Sequence, residues 1–357
     1  MPTSEEKNRP LLTLLCLALL SMLKAQGADD SDNTAEFNVL CRIVRQCQSG
    51  FAEPEPTPPA EVITLLTSIE KAFFLATATQ AEFESNLTSN RLGLTKTDRM
   101  LPRSSGYKTL IEQMNNTLFY AKSFAEDATS SAKTASEEAK EANKKLNKAL
   151  AGTEKKLSTD DDSPVYFEDT NLKETYGDSA SNTKNCGGAG TATYSTATNT
   201  GTTLISDIMC LCIAGPDDGK KPCAGGVTTQ AEGATIATAS ASTAKASWTA
   251  LMKICPKDTG HATTTKLTAD LATFRHSIGR QARRATSNQE HARYFLGYAA
   301  NGNSGCTAAN SQICVNYKPL LTGDSPNKIP WLSEIESAIK KWRWHQARKL
   351  RSQLSKG

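Results

Sequence analysis

A single stripe of small apolar residues, running from Ile111 to Ala149, constrains the fold of this chain more than any other feature. Its members alternate at spacings of three and four, which is the 3.5-residue average of a coiled-coil heptad. Because an α-helix rises about 1.5 Å per residue, the stripe predicts a helix roughly 57 Å long. Most members are alanine, so a partner helix can approach closely. This alanine seam consists of Ile111, Met114, Leu118, Ala121, Ala125, Ala128, Ala132, Ala135, Ala139, Ala142, Leu146 and Ala149.

Two further helices are predicted before the seam. Residues 34–50 favour a short helix, and four prolines between residues 54 and 59 then break the chain. A long helix is predicted from Ala60 to about Asn90, followed by an irregular link over residues 92–105. Two consecutive long helices with a short connection pack best as an antiparallel hairpin. The buried faces are predicted to hold Phe37, Leu40, Cys41 and Val44 in the first helix, and Val62, Leu66, Ile69, Phe73 and Ala76 in the second.

The pattern changes after Gly152. Residues 158–203 are rich in Thr, Ser, Gly and Asp, which predicts an irregular, exposed lobe pinned by Cys186. Its Gly187-Gly-Ala-Gly190 run follows no strand and matches no phosphate-binding fingerprint.

The rest of the chain is predicted to form an apolar element at 204–213, helices at about 231–255 and 264–298, and a disulfide-rich lobe at 302–314. A last helix is predicted after Pro330, with Trp331 and Ile335 in the core. The predicted fold is therefore mainly α: an elongated antiparallel coiled-coil hairpin or helical bundle with an irregular, disulfide-pinned head lobe.

The first 27 residues predict a cleaved secretory signal peptide. Lys7 and Arg9 precede an apolar run from Leu11 to Leu23, and Ala25-Gln-Gly27 supplies the small residues of a cleavage site. A short membrane anchor is the alternative, but the run falls short of the roughly 20 residues that span a bilayer. The basic C-terminus, residues 340–357, lacks the apolar tail that directs addition of a lipid anchor.

Secretion determines how the cysteines are interpreted. In an oxidising compartment, cysteines are expected to form disulfides, and the odd number left after loss of Cys16 leaves at least one thiol free or bonded to another chain. Cys306 is expected to bond Cys314 across a short Gly/Ser/Ala-rich loop, and Cys212 with Cys223 is a weaker expectation. The spacing of Cys210, Cys212 and Cys223 does not suit zinc, so no metal and no cofactor is predicted. N-glycosylation is predicted at Asn86 and Asn115, each of which begins an Asn-x-Thr sequon.

Composition gives little support to other functional classes. A formal net charge of +4 is too small to indicate nucleic-acid binding, and no nucleophile or metalloprotease motif occurs. Two basic clusters leave alternatives open. The first could bind an acidic ligand, although a solvated face is preferred; it consists of Arg275, His276, Arg280, Arg283, Arg284 and Arg293. The second, Lys340 to Lys349, interleaves basic residues with tryptophan, which suits either a membrane surface or a helix core.

Several segments together resemble the N-terminal domain of trypanosome variant surface glycoproteins, B-type subclass. They occur in family order and cover residues 34 to 335. The matching pieces are Phe37-Asn-Val-Leu-Cys41, Leu204-Ile-Ser-Asp-Ile-Met-Cys-Leu-Cys212, Trp248 with Cys255, Phe295-Leu-Gly297, Gly305-Cys306 to Cys314-Val-Asn-Tyr317, and Ile329-Pro-Trp331.

The resemblance implies a lipid-anchored, usually self-associated coat glycoprotein at the cell surface, with no catalytic residues. Such a protein shields the parasite membrane and presents a variable antigenic face to host antibodies, so a homodimer or homotrimer is expected. The family-like domain is predicted at residues 28–339. The sequence departs from the family pattern at residues 340–357, where a basic tail stands in place of the usual C-terminal domain; a chain that ended at Gly357 would be secreted.

The resemblance also bears on the cysteines. Cys47 lies outside the pattern and is the candidate free thiol, which leaves Cys41, Cys186, Cys210, Cys212, Cys223, Cys255, Cys306 and Cys314 as the predicted disulfide cysteines. The alternative function is a related surface receptor that binds a host macromolecule through the lobe at residues 158–230.

Overall fold

A computed structural model describes residues 30–89, 92–103, 105–155, 165–167, 175, 182–193, 199–213, 221–224, 241–257, 260–307, 311–322 and 328–354. The predicted signal peptide lies outside the described residues. The described chain is mainly helical, as predicted, and it divides into two compact units. The smaller unit holds residues 53–140, and the larger holds the segments before and after it.

Eleven α-helices, two short 3₁₀ helices and one two-stranded sheet account for the regular structure of the described residues. The first four helices are α1 Thr34–Ser49, α2 Ala60–Thr77, α3 Gln80–Ser89 and α4 Tyr107–Ala151. The next four are α5 Asn182–Cys186, α6 Leu204–Cys212, α7 Ala241–Ile254 and α8 Thr264–Ser277. Short α9 (Gln289–Ala292) precedes β1 (Phe295–Ala299) and β2 (Gln312–Asn316), and α10 (Lys318–Leu321) and α11 (Pro330–Leu354) end the described chain.

The alanine seam forms one helix, α4, of 45 residues, as predicted. Every seam position is buried or half-buried, whereas the residues between them are mostly exposed. The last four seam residues, Ala139, Ala142, Leu146 and Ala149, are completely buried, and the last three of them belong to the core of the larger unit. The earlier seam residues are half-buried apart from Ala125, which is buried.

Within the smaller unit, α2 and the first part of α4 run antiparallel. The Tyr107 hydroxyl donates to the Ala76 carbonyl at 2.7 Å, and further along α4 the Lys122 ammonium lies 3.6 Å from the Glu70 carboxylate. Residue numbers therefore rise on one helix as they fall on the other. The predicted antiparallel hairpin is confirmed at this level.

The predicted single helix from Ala60 to Asn90 is wrong, because the chain breaks between Thr77 and Gln80. Ala78 adopts an extended conformation, which ends α2. Thr79 then begins α3 with a capping box: the Glu82 amide donates to the Thr79 hydroxyl at 3.3 Å, and the Thr79 amide donates to the Glu82 carboxylate at 2.7 Å. These hydrogen bonds satisfy backbone donors that a new helix start would otherwise leave unpaired.

The predicted helix over residues 264–298 is also wrong beyond Ser277. Gly279 takes a φ of +76°, and a β-carbon there would lie 2.3 Å from the Arg293 carbonyl oxygen, so the chain turns where only glycine fits. The chain then enters β1, which pairs antiparallel with β2 and places Gly297 opposite Cys314. All ten strand residues are buried, because the hairpin lies within the core of the larger unit.

The three glycines of the run at residues 187–190 are buried, so the prediction of an exposed lobe is wrong for this stretch, whereas Thr191 and Thr193 just after it are exposed. A β-carbon on Gly187 would lie 2.3 Å from the Asn316 carbonyl oxygen, and one on Gly190 would lie 1.9 Å from that of Gly302. The Asn316 side-chain amide donates to the carbonyls of Gly187 and Ala189 at 3.2 and 2.9 Å. These glycines therefore allow the backbone to pack directly against the β-hairpin.

Four disulfides join the elements of the larger unit. Cys41 on α1 bonds Cys255 after α7, and Cys186 on α5 bonds Cys210 on α6. The other two pairs, Cys212–Cys223 and Cys306–Cys314, are those expected from the sequence. Cys47 is unbonded and buried.

Candidate interaction surface and buried site residues

The smaller unit exposes large apolar side chains on α2 and α4. Phe119 is 69% exposed, Tyr120 and Leu65 are each 62% exposed, and Phe124 is 61% exposed. Tyr120 and Phe124 are four residues apart and therefore share one helix face. Phe119 and Tyr120 are in ring contact, with their centroids 5.7 Å apart, and we refer to Phe119, Tyr120 and Phe124 as the hairpin apolar surface. Contiguous exposed apolar residues on a soluble protein usually mark a contact with another molecule.

The link between α3 and α4 is held against α2 by a salt bridge. Lys71 lies 2.9 Å from Asp98, whose carboxylate also accepts from the Thr95 amide at 2.6 Å. The hydrogen bond from Lys71, followed by those from Thr95, lowers the pKa of Asp98 to about 2. The link is thus anchored by a carboxylate that stays ionised at any physiological pH.

A buried carboxylate lies at the centre of the larger unit. Asp207, on α6, accepts from the Tyr317 hydroxyl at 2.6 Å, from the Trp331 indole nitrogen at 2.7 Å and from the Gly201 amide at 3.1 Å. Burial raises the pKa of Asp207 to about 7, even though each donated hydrogen bond lowers it. The three partners lie before α6, after β2 and at the start of α11, so one side chain ties distant segments together.

Three of the six residues in the predicted arginine and histidine cluster form ion pairs within the chain. Arg280 pairs with the completely buried Glu36 at 2.9 Å, Arg284 pairs with Asp32 at 2.9 Å, and Arg275 pairs with Glu336. The cluster does not lie on one helix, since α8 ends at Ser277. These ion pairs leave less positive charge for binding an acidic ligand, which was one of the two alternatives for this cluster.

The described residues show no group that suggests chemistry on a metal. They contain no set of three His, Cys, Asp or Glu side chains that could hold a metal ion. Among the same residues, no helix is both long and apolar enough to cross a bilayer.

The predicted glycosylation sites differ in accessibility. Asn115 lies on α4 with its side chain exposed, and the Thr117 hydroxyl of the same sequon donates to the Gln113 carbonyl. Asn86 lies on α3 and is half-buried. A glycan on Asn115 would project into solvent, whereas a glycan on Asn86 would require the side chain to turn outward. Both sites remain predictions.

Comparison with known proteins decides the family. The model of the trypanosomal VSG domain, type B, matches residues 76–356, which is more than three quarters of the chain. This chain belongs to the trypanosomal VSG domain family.

A curated relative agrees with this assignment. Variant surface glycoprotein YnAT 1.3 of Trypanosoma congolense is 31% identical over 144 residues. The match covers 39% of this chain and 34% of that protein, so the chain spans about a third of the length of the relative it matches. Within the VSG domain, α11 runs without interruption from Pro330 to Leu354, across the predicted boundary at residue 339.

Sequence reasoning missed two features of this VSG domain. The sequence does indicate that Asp207 is unusual, because it is the one charged residue in the apolar run from Leu204 to Ile213. The sequence also indicates an apolar surface on α4, because three bulky residues lie outside the alanine seam of this helix: Phe119, Tyr120 and Phe124. In contrast, the two side-chain partners of Asp207, Tyr317 and Trp331, lie more than 100 positions away along the chain, so no local pattern could identify them.

Proposed function

We propose that this chain is a non-catalytic surface coat glycoprotein that shields a trypanosome membrane and presents a variable antigenic face to host antibodies. The observation that carries the proposal is the family match over residues 76–356. The disulfide-linked core supports it, because four cross-links suit a protein that works outside the cell. The localisation is the outer face of the plasma membrane, with attachment through a lipid anchor as in the family.

Antibodies against the folded chain test this function. Antibodies raised against the purified, oxidised chain should bind intact trypanosomes that express the corresponding gene. They should not bind otherwise identical cells that express a different coat protein. Equal binding to both populations would contradict a variable antigenic role, and binding to neither would contradict display at the surface.

We further propose that the hairpin apolar surface forms a self-association interface, giving a homodimer or homotrimer. Phe119, Tyr120 and Phe124 each expose more than 60% of their surface, and covering such area with a second copy would remove it from water at a gain of about 25 cal/mol per Å². A symmetric copy is the simplest partner, because it presents the same apolar residues.

Sedimentation equilibrium of charge-bearing variants tests the interface. Tyr120→Glu combined with Phe124→Glu should reduce the mass to that of a monomer, since two carboxylates would be buried in the contact. Ser130→Glu introduces a charge at an exposed position on the same helix and should leave the mass unchanged. A wild-type chain that remains monomeric at every concentration would reject the proposal.

The receptor alternative depends on residues 158–230. Most of these lie outside the described part of the chain, and the described glycine run is buried against the β-hairpin rather than open to a ligand. We therefore propose the coat function, and not the receptor function, for this chain.

A further inference from the structure

A groove lies between α8 and α11 in the larger unit. Its volume is about 540 Å³, which falls within the range of small-molecule sites. The floor is apolar, with Leu271 only 2% and Ile339 only 7% exposed. Trp344 lines one side and is 56% exposed, which is unusual for so large an apolar side chain.

The rim of the groove is positively charged. It carries Arg275, Lys340 and Arg343, against a single acid, Glu336. Arg275 is already paired with that acid, so the two form a neutral edge. Lys340 is exposed and makes no ion pair within the part of the chain that the structure describes, and Arg343 makes only a 3.5 Å contact with the Thr268 hydroxyl. Two cations are thus available to a ligand.

The sequence around α11 reinforces this charge. Residues 337–357 contain seven Lys or Arg residues and no Asp or Glu, so no nearby acid downstream competes for the rim. A ligand that complements the groove must combine an anionic group with an apolar portion. A purely anionic ligand would leave Leu271, Ile339 and Trp344 without contacts, and a flat membrane surface would not reach the buried floor.

We propose that the α8–α11 groove binds a single-chain anionic amphiphile, such as a fatty carboxylate, with its head at Lys340 and Arg343 and its hydrocarbon chain along Leu271, Ile339 and Trp344. Burial of the hydrocarbon provides the attraction, since each methylene removed from water adds favourable free energy. The two cations select the charge of the head group. This site is independent of the proposed coat function and of the hairpin apolar surface.

Calorimetric titration of the purified chain with dodecanoate, below the concentration at which dodecanoate aggregates, tests the site. One dodecanoate should bind per chain. Dodecyltrimethylammonium, which carries the same hydrocarbon chain with the opposite charge, should bind at least about fivefold more weakly, which corresponds to one exposed charge contact. Acetate should not bind. Equal affinity for the anionic and cationic amphiphiles would overturn the proposal.

Matched variants locate the binding. Lys340→Glu should weaken dodecanoate binding about fivefold or more, and Trp344→Ala should weaken it about tenfold through lost apolar contact. Lys341→Glu makes the same change of charge at the next residue, which is exposed but does not line the groove, and should leave the affinity unchanged. Equal losses in Lys340→Glu and Lys341→Glu would show a general charge effect and reject the site. Retention on phosphatidylserine vesicles without dodecanoate binding would show surface adsorption and would likewise overturn it.

Discussion

At the scale of the residue, Asp207 connects separate segments of the larger unit through three hydrogen bonds. A buried carboxylate is costly unless donors surround it, and here three donors reach it from separate segments. No Lys or Arg is among these donors. The network therefore depends on each hydrogen bond.

Loss of one donor should be measurable. Tyr317→Phe removes the hydroxyl that donates to Asp207 at 2.6 Å and should lower the free energy of unfolding by about 1.5–3 kcal/mol, the range for a hydrogen bond to a charged group. Urea titration followed by circular dichroism measures the change. Tyr294→Phe makes the same change at a half-buried tyrosine outside this network and serves as the control, with an expected change within about 0.5 kcal/mol. Similar effects of the two substitutions would contradict the role of Asp207.

The same residue predicts a dependence of stability on pH. The pKa of Asp207 is raised from 3.8 to about 7 in the folded chain, so the folded state binds the proton more tightly than the unfolded state. Its favourable contribution is complete below about pH 4 and is lost as the pH rises towards 7. The unfolding free energy of the wild type minus that of Asp207→Asn should therefore decrease as the pH rises from about 4 to 7. A constant difference would show that Asp207 does not titrate there.

The cysteines predict a chemical result at the same scale. Peptide mapping without reduction should recover Cys41–Cys255, Cys186–Cys210, Cys212–Cys223 and Cys306–Cys314. Burial raises the pKa of the Cys47 thiol, so this thiol should resist alkylation in the folded chain and react only after denaturation. Cys47 found in a disulfide, or alkylated rapidly in the folded chain, would contradict the structure.

At the scale of the element, the glycine run after α5 is a packing device. Gly187→Ala would place a methyl group 2.3 Å from the Asn316 carbonyl oxygen at a φ of +91°, so it should destabilise the chain by about 2 kcal/mol or more. Gly93→Ala is the matched control, because Gly93 also has a positive φ (+61°) but no neighbouring atom within 4 Å. It should show only the smaller cost of backbone strain, about 1 kcal/mol. Thermal unfolding of both variants makes the comparison, and an equal loss would exclude the steric explanation.

Elements were predictable where one periodic pattern set the structure. The alanine seam predicts α4 because its period is uninterrupted over the whole helix. The apolar stripe of α2 predicts no break at Thr79, although Thr79-Gln-Ala-Glu82 has the sequence of a capping box, which starts a new helix there. Strand β1 was missed for a different reason: its pairing with β2 depends on residues across an intervening loop, which no local period records.

At the scale of the whole molecule, the family could be predicted from ordered short motifs, whereas the surfaces could not. Cys41, Trp248, Cys306 and Trp331 each belong to those motifs, and all four are buried in the core of the larger unit. Such motifs reflect side-chain packing in the core, which members of a family share. Exposed residues such as Phe124 in the smaller unit and Trp344 in the larger unit carry no such constraint, so the surface to which each belongs became visible only in three dimensions.

Display at the cell surface is the central claim, and labelling of intact cells tests it most directly. Trypanosomes that express the full coding sequence containing this chain are treated with a membrane-impermeant biotinylation reagent, and the chain is then recovered on streptavidin. The account predicts recovery of most of the chain from intact cells, while a cytosolic control protein stays unlabelled. Labelling of the chain only after the cells are permeabilised would contradict the account.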